Sequence, residues 1–401
     1  MLQPELSPPR YGFDLMSLPL ADWTDPETLP SIRRLADSLL KLDPRAELFL
    51  VAPKFMERGL KPYFSGGSAS SQFIPLLSLL PPRIYFQQVA LPVLFRLKGV
   101  NRIVSFGHGV PAIYPAPKLL SLLPGQARDW WRLVPSLMTA DVVVTDTQTQ
   151  KLAIESRLTR LRSRIEVVAP AVSEEFHPYP KDAGRELFER HGVKGRFVLF
   201  LGTTGLNSSS LMVALEAFSK IAHRPRMKSI HFIAITPNRL TLIPLRKRVE
   251  ELGLAHRVCF VDEIPLAELP LWLSGAQFAM CPEQGDVAAN LLLRALASGC
   301  PVIVPSQKLC DSLMRHAVLQ CHDSDPKSLA EAMTRVLAEP ELRDGLVKEG
   351  LELSKLRTWT ARGESFLRIF SSLLHSRDQI ETTDEVLSPE FVKPELTPPH
   401  F

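Results

Sequence analysis

The sequence predicts an α/β protein made of two doubly wound, Rossmann-like parallel sheets. Three observations carry that expectation. At 401 residues the chain exceeds one ordinary core and points to two domains. Short apolar runs alternate with amphipathic helical stretches in both halves, the pattern of strands covered on two faces. Between the halves, Ser173 to Gly195 is charged and broken by Pro178, Pro180 and Gly184, as an interdomain connector would be.

In the first half, ELFLVAP (47–53), RIVSF (102–106), DVVVTDT (141–147) and RIEVVAPAV (164–172) are the expected strands. SIRRLADSLLKL (31–42) and YFQQVALPVLFRLKGV (85–100) repeat apolar residues at three and four, which predicts helices. Beyond the connector, RFVLFLGT (196–203) reads as a buried strand, SLMVALEAFSKIA (210–222) as a helix and IHFIAIT (230–236) as a strand. IPLRKRVEELGL (243–254) follows as an amphipathic helix, and VCFVDEI, QFAMCP and PVIVP as further strands. EQGDVAANLLLRALASGCPVIVP (283–305) reads as a loop with two carboxylates, a helix from about Ala288 to Ser298, a glycine stop at Gly299 and a strand. In a parallel sheet such a loop lies at the carboxyl ends of the strands, where ligands bind. Helices rich in Leu, Ala, Glu and Arg fill 326–375, and the acidic, proline-bearing stretch 376–401 is expected to be a flexible tail. The expected division is 1–172, connector 173–195, 196–357, a final helix 358–375 and the tail.

A net charge of +4 over this length demands no nucleic-acid partner. No apolar run of membrane-spanning length occurs, and MLQPELSPPR lacks the features of a secretion signal, so a cytoplasmic location is expected. The five cysteines lie between Cys259 and Cys321 with no C-x-x-C and no paired His spacing. Neither a zinc site nor a disulfide framework is indicated, and buried thiols are expected.

The segments SLMTADVVVTDTQTQKLAIES, RIEVVAPAVSEEFHP, FVLFLGTTG followed by LEAF, VCFVDEIPLAELPLWLSGAQFAMCP, LLLRALASGCPVIVP and DPKSLAEAMTRVLAEPELRDGLVKEG occur in that order between about Arg83 and Leu374. Together they resemble the glycosyltransferases of GT-B fold, in particular family 4, the glycosyl transferases group 1. The resemblance implies an acceptor-side domain and a nucleotide-sugar domain facing a cleft, with the helix from Thr358 crossing back to the first. It also implies retaining, metal-free transfer of a hexosyl-type sugar from a nucleotide-sugar donor. The acceptor is left open among a growing polysaccharide, a lipid-linked glycan and a small molecule.

Motif by motif, the resemblance assigns candidate residues and exposes departures. Family members carry an Arg and a Lys after the first strand of the second domain; GTTGLNSSS places Thr203 and Ser209 there, hydroxyls without the charge-assisted contacts to a diphosphate. The family's two spaced glutamates fall on Asp286, toward the donor sugar, and Arg294, toward nucleoside or phosphate. Glu283 stands beside Asp286 as a candidate second carboxylate. Val287, Ala288 and Ala289 replace a Gly-aromatic-Gly loop, which limits backbone approach to a diphosphate. In the first domain LMSLPLADWTDPET has no glycine and PAPKLLSLLPG lacks the family's His-Asp pair. His108, in SFGHGVP, is the polar candidate for the reacting region.

Each candidate has a plainer alternative: a solvated helix face for Arg294, a backbone-bonded structural residue for His108, solvated loop acids for Glu283 and Asp286. Arg157, Arg160, Arg162 and Arg164 form either a patch for acidic lipid headgroups, giving peripheral contact with the inner face of a membrane, or a solvated helix end. Trp130 and Trp131 lie on a helix, one for the core and one for the cleft or an interface. The combined departures also support an alternative function, a catalytically silent glycosyltransferase-like protein acting as partner or scaffold for an active transferase. An epimerase reading finds no paired acid and base.

Overall fold

The computed structural model describes residues 8–16, 18, 28–54, 71–76, 86–107, 109–123, 130–158, 163–202, 208–224, 227, 229–235, 242–262, 264–282, 285–305, 312–322 and 325–386. The first lobe is a seven-stranded, all-parallel sheet. Its strands are β1 (Arg10–Asp14), β2 (Glu47–Pro53), β3 (Ser71–Leu76), β4 (Arg102–Phe106), β5 (Lys118–Ser121), β6 (Val142–Thr145) and β7 (Arg164–Val167). Among the described residues four helices accompany them: α1 (Thr28–Leu42), α2 (Leu91–Leu97, entered through a π-helical turn at Phe86–Ala90), α3 (Trp130–Thr139) and α4 (Gln148–Glu155). The strand order is β3-β2-β1-β4-β5-β6-β7.

Local chemistry accounts for these elements. Helix α1 buries Ile32, Leu35, Ala36 and Leu39, one stripe at helical spacing. Helix α4 is capped by Thr147, whose side chain accepts from the Gln150 N–H, while Gln150 Oε1 accepts from the Asp146 N–H at 3.0 Å. Strands β1, β3 and β5 are not among the strands read from the sequence: β1 is RYGFD, β3 is an edge strand carrying Pro75, and β5 has four residues inside PAPKLLSLLPG.

The second lobe has a six-stranded, all-parallel sheet in the order β10-β9-β8-β11-β12-β13. In chain order it comprises α5 (Arg185–Arg190), β8 (Arg196–Leu201), α6 (Ser208–Ala222), β9 (Ile230–Ile235), α7 (Leu242–Glu251), β10 (Val258–Val261), α8 (Leu269–Gly275) and β11 (Ala279–Met280). Then come α9 (Gly285–Ala297), β12 (Val302–Pro305), β13 (Leu319–Cys321), α10 (Pro326–Ala338) and α11 (Pro340–Lys355). Gly299 ends α9 at φ +67°, with its N–H on Leu296 O and the Cys300 N–H on Ala295 O. Each sheet reverses its winding beside its first strand, between β1 and β4 and between β8 and β11. These are the switch points at which open α/β sheets leave a crevice.

The stretch 173–195 packs on the second lobe. Phe176, Leu187, Phe188 and Val193 are buried in that core, and the Phe188 ring lies 4.8 Å from those of Phe197 and Trp272. Lys181 donates to Ala276 O at 2.8 Å, and burial holds its ammonium below the ordinary lysine pKa.

The final helix, α12 (Trp359–Val386), returns to the first lobe. Phe366, Ile369 and Phe370 join the core that α1 covers, and Phe370 lies 5.8 Å from Tyr11 of β1. Arg362 fastens it: one guanidinium nitrogen donates to Asp146 Oδ1 at 2.8 Å, another to Val168 O at 3.1 Å and Ala169 O at 2.9 Å. The helix continues past Ser376, where the tail is expected to begin, because SRDQIETTDEV contains no Gly or Pro to stop it. Residues 387–401 lie outside the described residues. No helix among the described residues is long and apolar enough to cross a membrane.

Candidate functional site

A cavity of about 210 Å³ opens at the carboxyl ends of β8, β11, β12 and β13. Strand register builds its floor: Met280 stands opposite Phe200 on one side and Ile303 on the other, so three apolar side chains form one row across the sheet. The rim is polar. Ser209 and Ser210, in the first turn of α6, and His322, just past β13, line it. The His322 N–H donates to Ser328 Oγ at 2.9 Å, which ties the end of β13 to α10. Asp325 caps α10, and the backbone N–H groups of Lys327 and Ser328 hold its carboxyl below the usual carboxylate range.

Chemically this is an apolar slot with a hydroxyl and imidazole rim at a switch point. The described residues lining it include no Lys or Arg. An anion placed at this rim meets hydroxyl donors rather than guanidinium or ammonium groups, and neutral hydrogen bonds are roughly half as strong as charge-assisted ones.

The structure brings some candidate residues to this place and leaves others elsewhere. Ser209 lines the cavity and is exposed. Asp286 lies in the first turn of α9, four residues beyond the cavity-lining Pro282; its side chain is outside the described set. Thr203, Glu283 and His108 lie outside the described residues. Arg294 belongs to the last turn of α9, eight residues and so about 12 Å of helix rise beyond Asp286. It is not among the cavity-lining residues, and its guanidinium sits over the Phe176 ring at 5.4 Å. The structure thus places Arg294 against the stretch 173–195.

Ser210, Cys281 and His322 line the cavity although no motif singles them out. The signal that finds them is positional: they lie at a helix start or just beyond a strand's carboxyl end, which is visible only once strand order is known. Among the described residues Cys259, Cys281, Cys300 and Cys321 form no disulfide, and all but Cys259 are buried.

A second groove, about 430 Å³, follows edge strand β7 beside the arginine-rich stretch. Among its described lining residues Arg164 pairs with Glu166, and Lys151 lies 3.8 Å from Glu155. Arg160 and Arg162 lie outside the described residues, as do the side chains of Trp130 and Trp131.

Comparison with known proteins agrees with the fold. Residues 195–339 match the family described as glycosyl transferases group 1. The chain is 24% identical over 247 residues to a D-inositol 3-phosphate glycosyltransferase of a Nocardioides strain, covering 58% of this chain and 53% of that protein. It thus spans about half the length of that curated relative. A glycosyltransferase from Rickettsia africae superposes with a TM-score of 0.68 at 12% identity, over 92% of this chain and 99% of that one. Anabaena HepE in complex with UDP-glucose superposes with a TM-score of 0.61 at 14% identity, over 90% and 99%. These findings support a group 1 glycosyltransferase, with the family match in the second lobe and the structural match across both. The fold is GT-B, as the ordered motifs imply.

Proposed function

We propose that the protein transfers a hexosyl-type sugar from a nucleotide-sugar donor held in the second lobe to an acceptor on the first. The observation that carries this reading is the cavity beside the β8/β11 switch point, with its Phe200–Met280–Ile303 floor, in the lobe that matches glycosyl transferases group 1. The UDP-glucose bound by Anabaena HepE on the same fold supports a donor of that class.

In this reading the apolar slot takes part of the nucleotide, and Ser209, with Thr203, donates hydrogen bonds to the diphosphate. Asp286, with Glu283 beside it, accepts from a hydroxyl of the donor sugar, and His108 serves the reacting region. Transfer retains the anomeric configuration and uses no metal. A polysaccharide, lipid-linked glycan or small molecule accepts the sugar. A cytoplasmic site of action goes with such a donor. Arg294 we assign to holding Phe176 rather than to the nucleotide.

Calorimetry with a panel of nucleotides and nucleotide sugars tests the reading: saturable binding with a preference among bases is expected. Val213→Trp, which places an indole in the cavity wall, should abolish it. Asp286→Ala should lower transfer by about one to two orders of magnitude, while Arg294→Glu should leave nucleotide affinity unchanged. One observation favours a second reading, a silent partner or scaffold for an active transferase: among the described residues the cavity lining has no cation to hold a diphosphate. Absence of binding to every nucleotide tried at millimolar concentration would select that reading.

A further inference from the structure

The mouth of the second-lobe cavity is set by two helices that begin side by side. Helices α6 and α10 pack in one core, through Leu211, Ala214 and Phe218 on one and Ala330 and Met333 on the other. They run in the same direction: Val213, Ala214 and Leu329, near their beginnings, line the cavity. Toward the far end the Arg224 guanidinium, just past α6, donates to Thr334 Oγ1 of α10 at 3.1 Å. Axes of packed helices lie about 8–10 Å apart. The first turn of α6 and the residues leading into α10 therefore face each other across a gap that a diphosphate can bridge.

On the α6 side of that gap stand Ser209 and Ser210, and on the α10 side stands His322. The main chain holds His322 in place, since its N–H donates to Ser328 Oγ at 2.9 Å and the ring takes no part in that bond. His322 is exposed. Asp325 engages its two carboxylate oxygens with the N–H groups of Lys327 and Ser328, at 2.9 and 3.1 Å, as the cap of α10. An apolar slot with donors on both sides of its mouth suits a ligand with a flat body and an acidic end, as a nucleoside diphosphate is. Hydroxyls alone give neutral hydrogen bonds, whereas an imidazolium adds charge and donates from both ring nitrogens.

We propose that His322, as an imidazolium, binds the diphosphate of the nucleotide-sugar donor from the α10 side, opposite Ser209. The proposal rests on the donor reading of this cavity and adds a binding residue that no motif in the sequence reaches. It also makes donor binding depend on pH. Around the ring, the described charged and titratable groups are Asp325 on its own loop, Lys327 in the first turn of α10 and the Cys281 and Cys321 thiols along the cavity. From α6 the described lining presents the hydroxyls of Ser209 and Ser210. Glu283, Lys308 and Asp323 lie outside the described residues. Imidazole is the side chain whose charge ordinarily changes between about pH 5 and 8, so affinity is full at the acid end and falls as pH rises.

The test is calorimetry of the full chain with UDP-glucose, GDP-mannose and ADP-glucose from about pH 5 to about pH 8. The diphosphate of each carries the same charge over this range, so any slope comes from the protein. The tightest binder should lose affinity roughly fivefold to tenfold across the range. Protons should be taken up on binding near its middle, read by repeating the titration in a buffer of different ionisation enthalpy. His322→Gln should bind at the weak, alkaline level throughout, with an unchanged melting temperature because the bond to Ser328 comes from the main chain. His322→Arg should bind tightly at both ends. The matching nucleoside, which has no phosphate, should bind the wild type and both variants alike. Level affinity in the wild type, or a slope that survives His322→Gln, would overturn the proposal and leave the donor reading intact. So would a loss of nucleoside affinity in His322→Gln as large as that of the nucleotide sugar, which would put the ring on the base. If none of the three binds at any pH, the donor reading falls and the proposal with it.

Discussion

At the switch point of the first sheet, Asp14 and Ser105 stand opposite each other on neighbouring strands, and both are fully buried. At the switch point of the second, Phe200 and Met280 stand opposite each other and border an open cavity. Strand order is the same around the two reversals, so the difference comes from side chains. Beside β1, Gly12 leaves room that Phe95 and Val100 fill. Beside β8, the apolar row ends and short polar side chains from α6 take over. Parallel topology makes the two reversals alike; the side chains around them make their surroundings differ.

The largest effect is expected where α12 ties the lobes. Arg362 and Asp146 are only 9% and 5% exposed, unlike surface pairs such as Lys355 with Glu352. Arg362→Ala leaves a buried carboxylate without its partner, which costs about 3–5 kcal/mol, read from urea unfolding. The double replacement Arg362→Met with Asp146→Leu should recover much of that loss. A single-variant cost below about 1 kcal/mol would put this pair with the solvated ones.

Next in size is the packing of α2 against β1. A Cβ at residue 12 would lie 2.7 Å from the Phe95 ring and 2.9 Å from Val100, so Gly12→Ala should cost about 1–3 kcal/mol by overpacking. Gly345, inside α11, has nothing within 4 Å, and Gly345→Ala should stabilise by roughly 0.5–1 kcal/mol. Equal effects of the two would mean that α2 is loosely packed on β1.

Much of this architecture was legible in the chain. ELFLVAP, RIVSF, RFVLFLGT and IHFIAIT were legible as strands because each is a short apolar run between helical patterns. Strands β1, β3, β5 and β13 were not: β1 mixes Arg, Gly and Asp into five residues, β3 carries Pro75 at the sheet edge, and β5 and β13 have only four and three residues, too few to show a period. The site was less legible than the fold. Ser209 was reached through a motif and does line the cavity, but Arg294 was reached the same way and stacks on Phe176. His322 follows a three-residue strand, so nothing local marks it. Motif alignment finds positions along the chain, whereas a cavity is set by which strand ends become neighbours.

On the open side, Ser209→Ala removes one hydroxyl from the rim without disturbing the floor. If that hydroxyl meets the donor, nucleotide affinity should fall by about threefold to tenfold, the size of one neutral hydrogen bond at roughly 0.5–1.5 kcal/mol. Stability should not change, because the residue is exposed. A loss beyond a hundredfold would mean that this serine does more than donate one bond.

The smallest change at neutral pH is expected at Tyr11, deep in the filled lobe. Its side chain is fully buried, and its hydroxyl has no hydrogen-bond partner among the described residues. Burial pushes the phenol up to about 12, against the opposing pull of the Arg102 guanidinium, which lies 5.5 Å from the ring. The folded protein therefore keeps this proton where the unfolded chain releases it near the ordinary value of 10.0. The group makes no pH-dependent contribution to the balance below pH 10, and stability falls as pH rises from there toward 12, by on the order of 2–3 kcal/mol. Tyr11→Phe keeps the ring contacts with Phe370 and Arg102 and removes an unpaired polar atom, so at pH 7 it should be neutral or stabilising by up to about 1 kcal/mol. Above pH 10 the variant should lose stability more slowly than the wild type. Some alkaline loss will remain, because burial also pushes the Cys300 thiol up to about 12. A variant clearly less stable at pH 7, with an unchanged alkaline slope, would show that the hydroxyl is satisfied in solution and that the first lobe is less tightly filled than its burial implies.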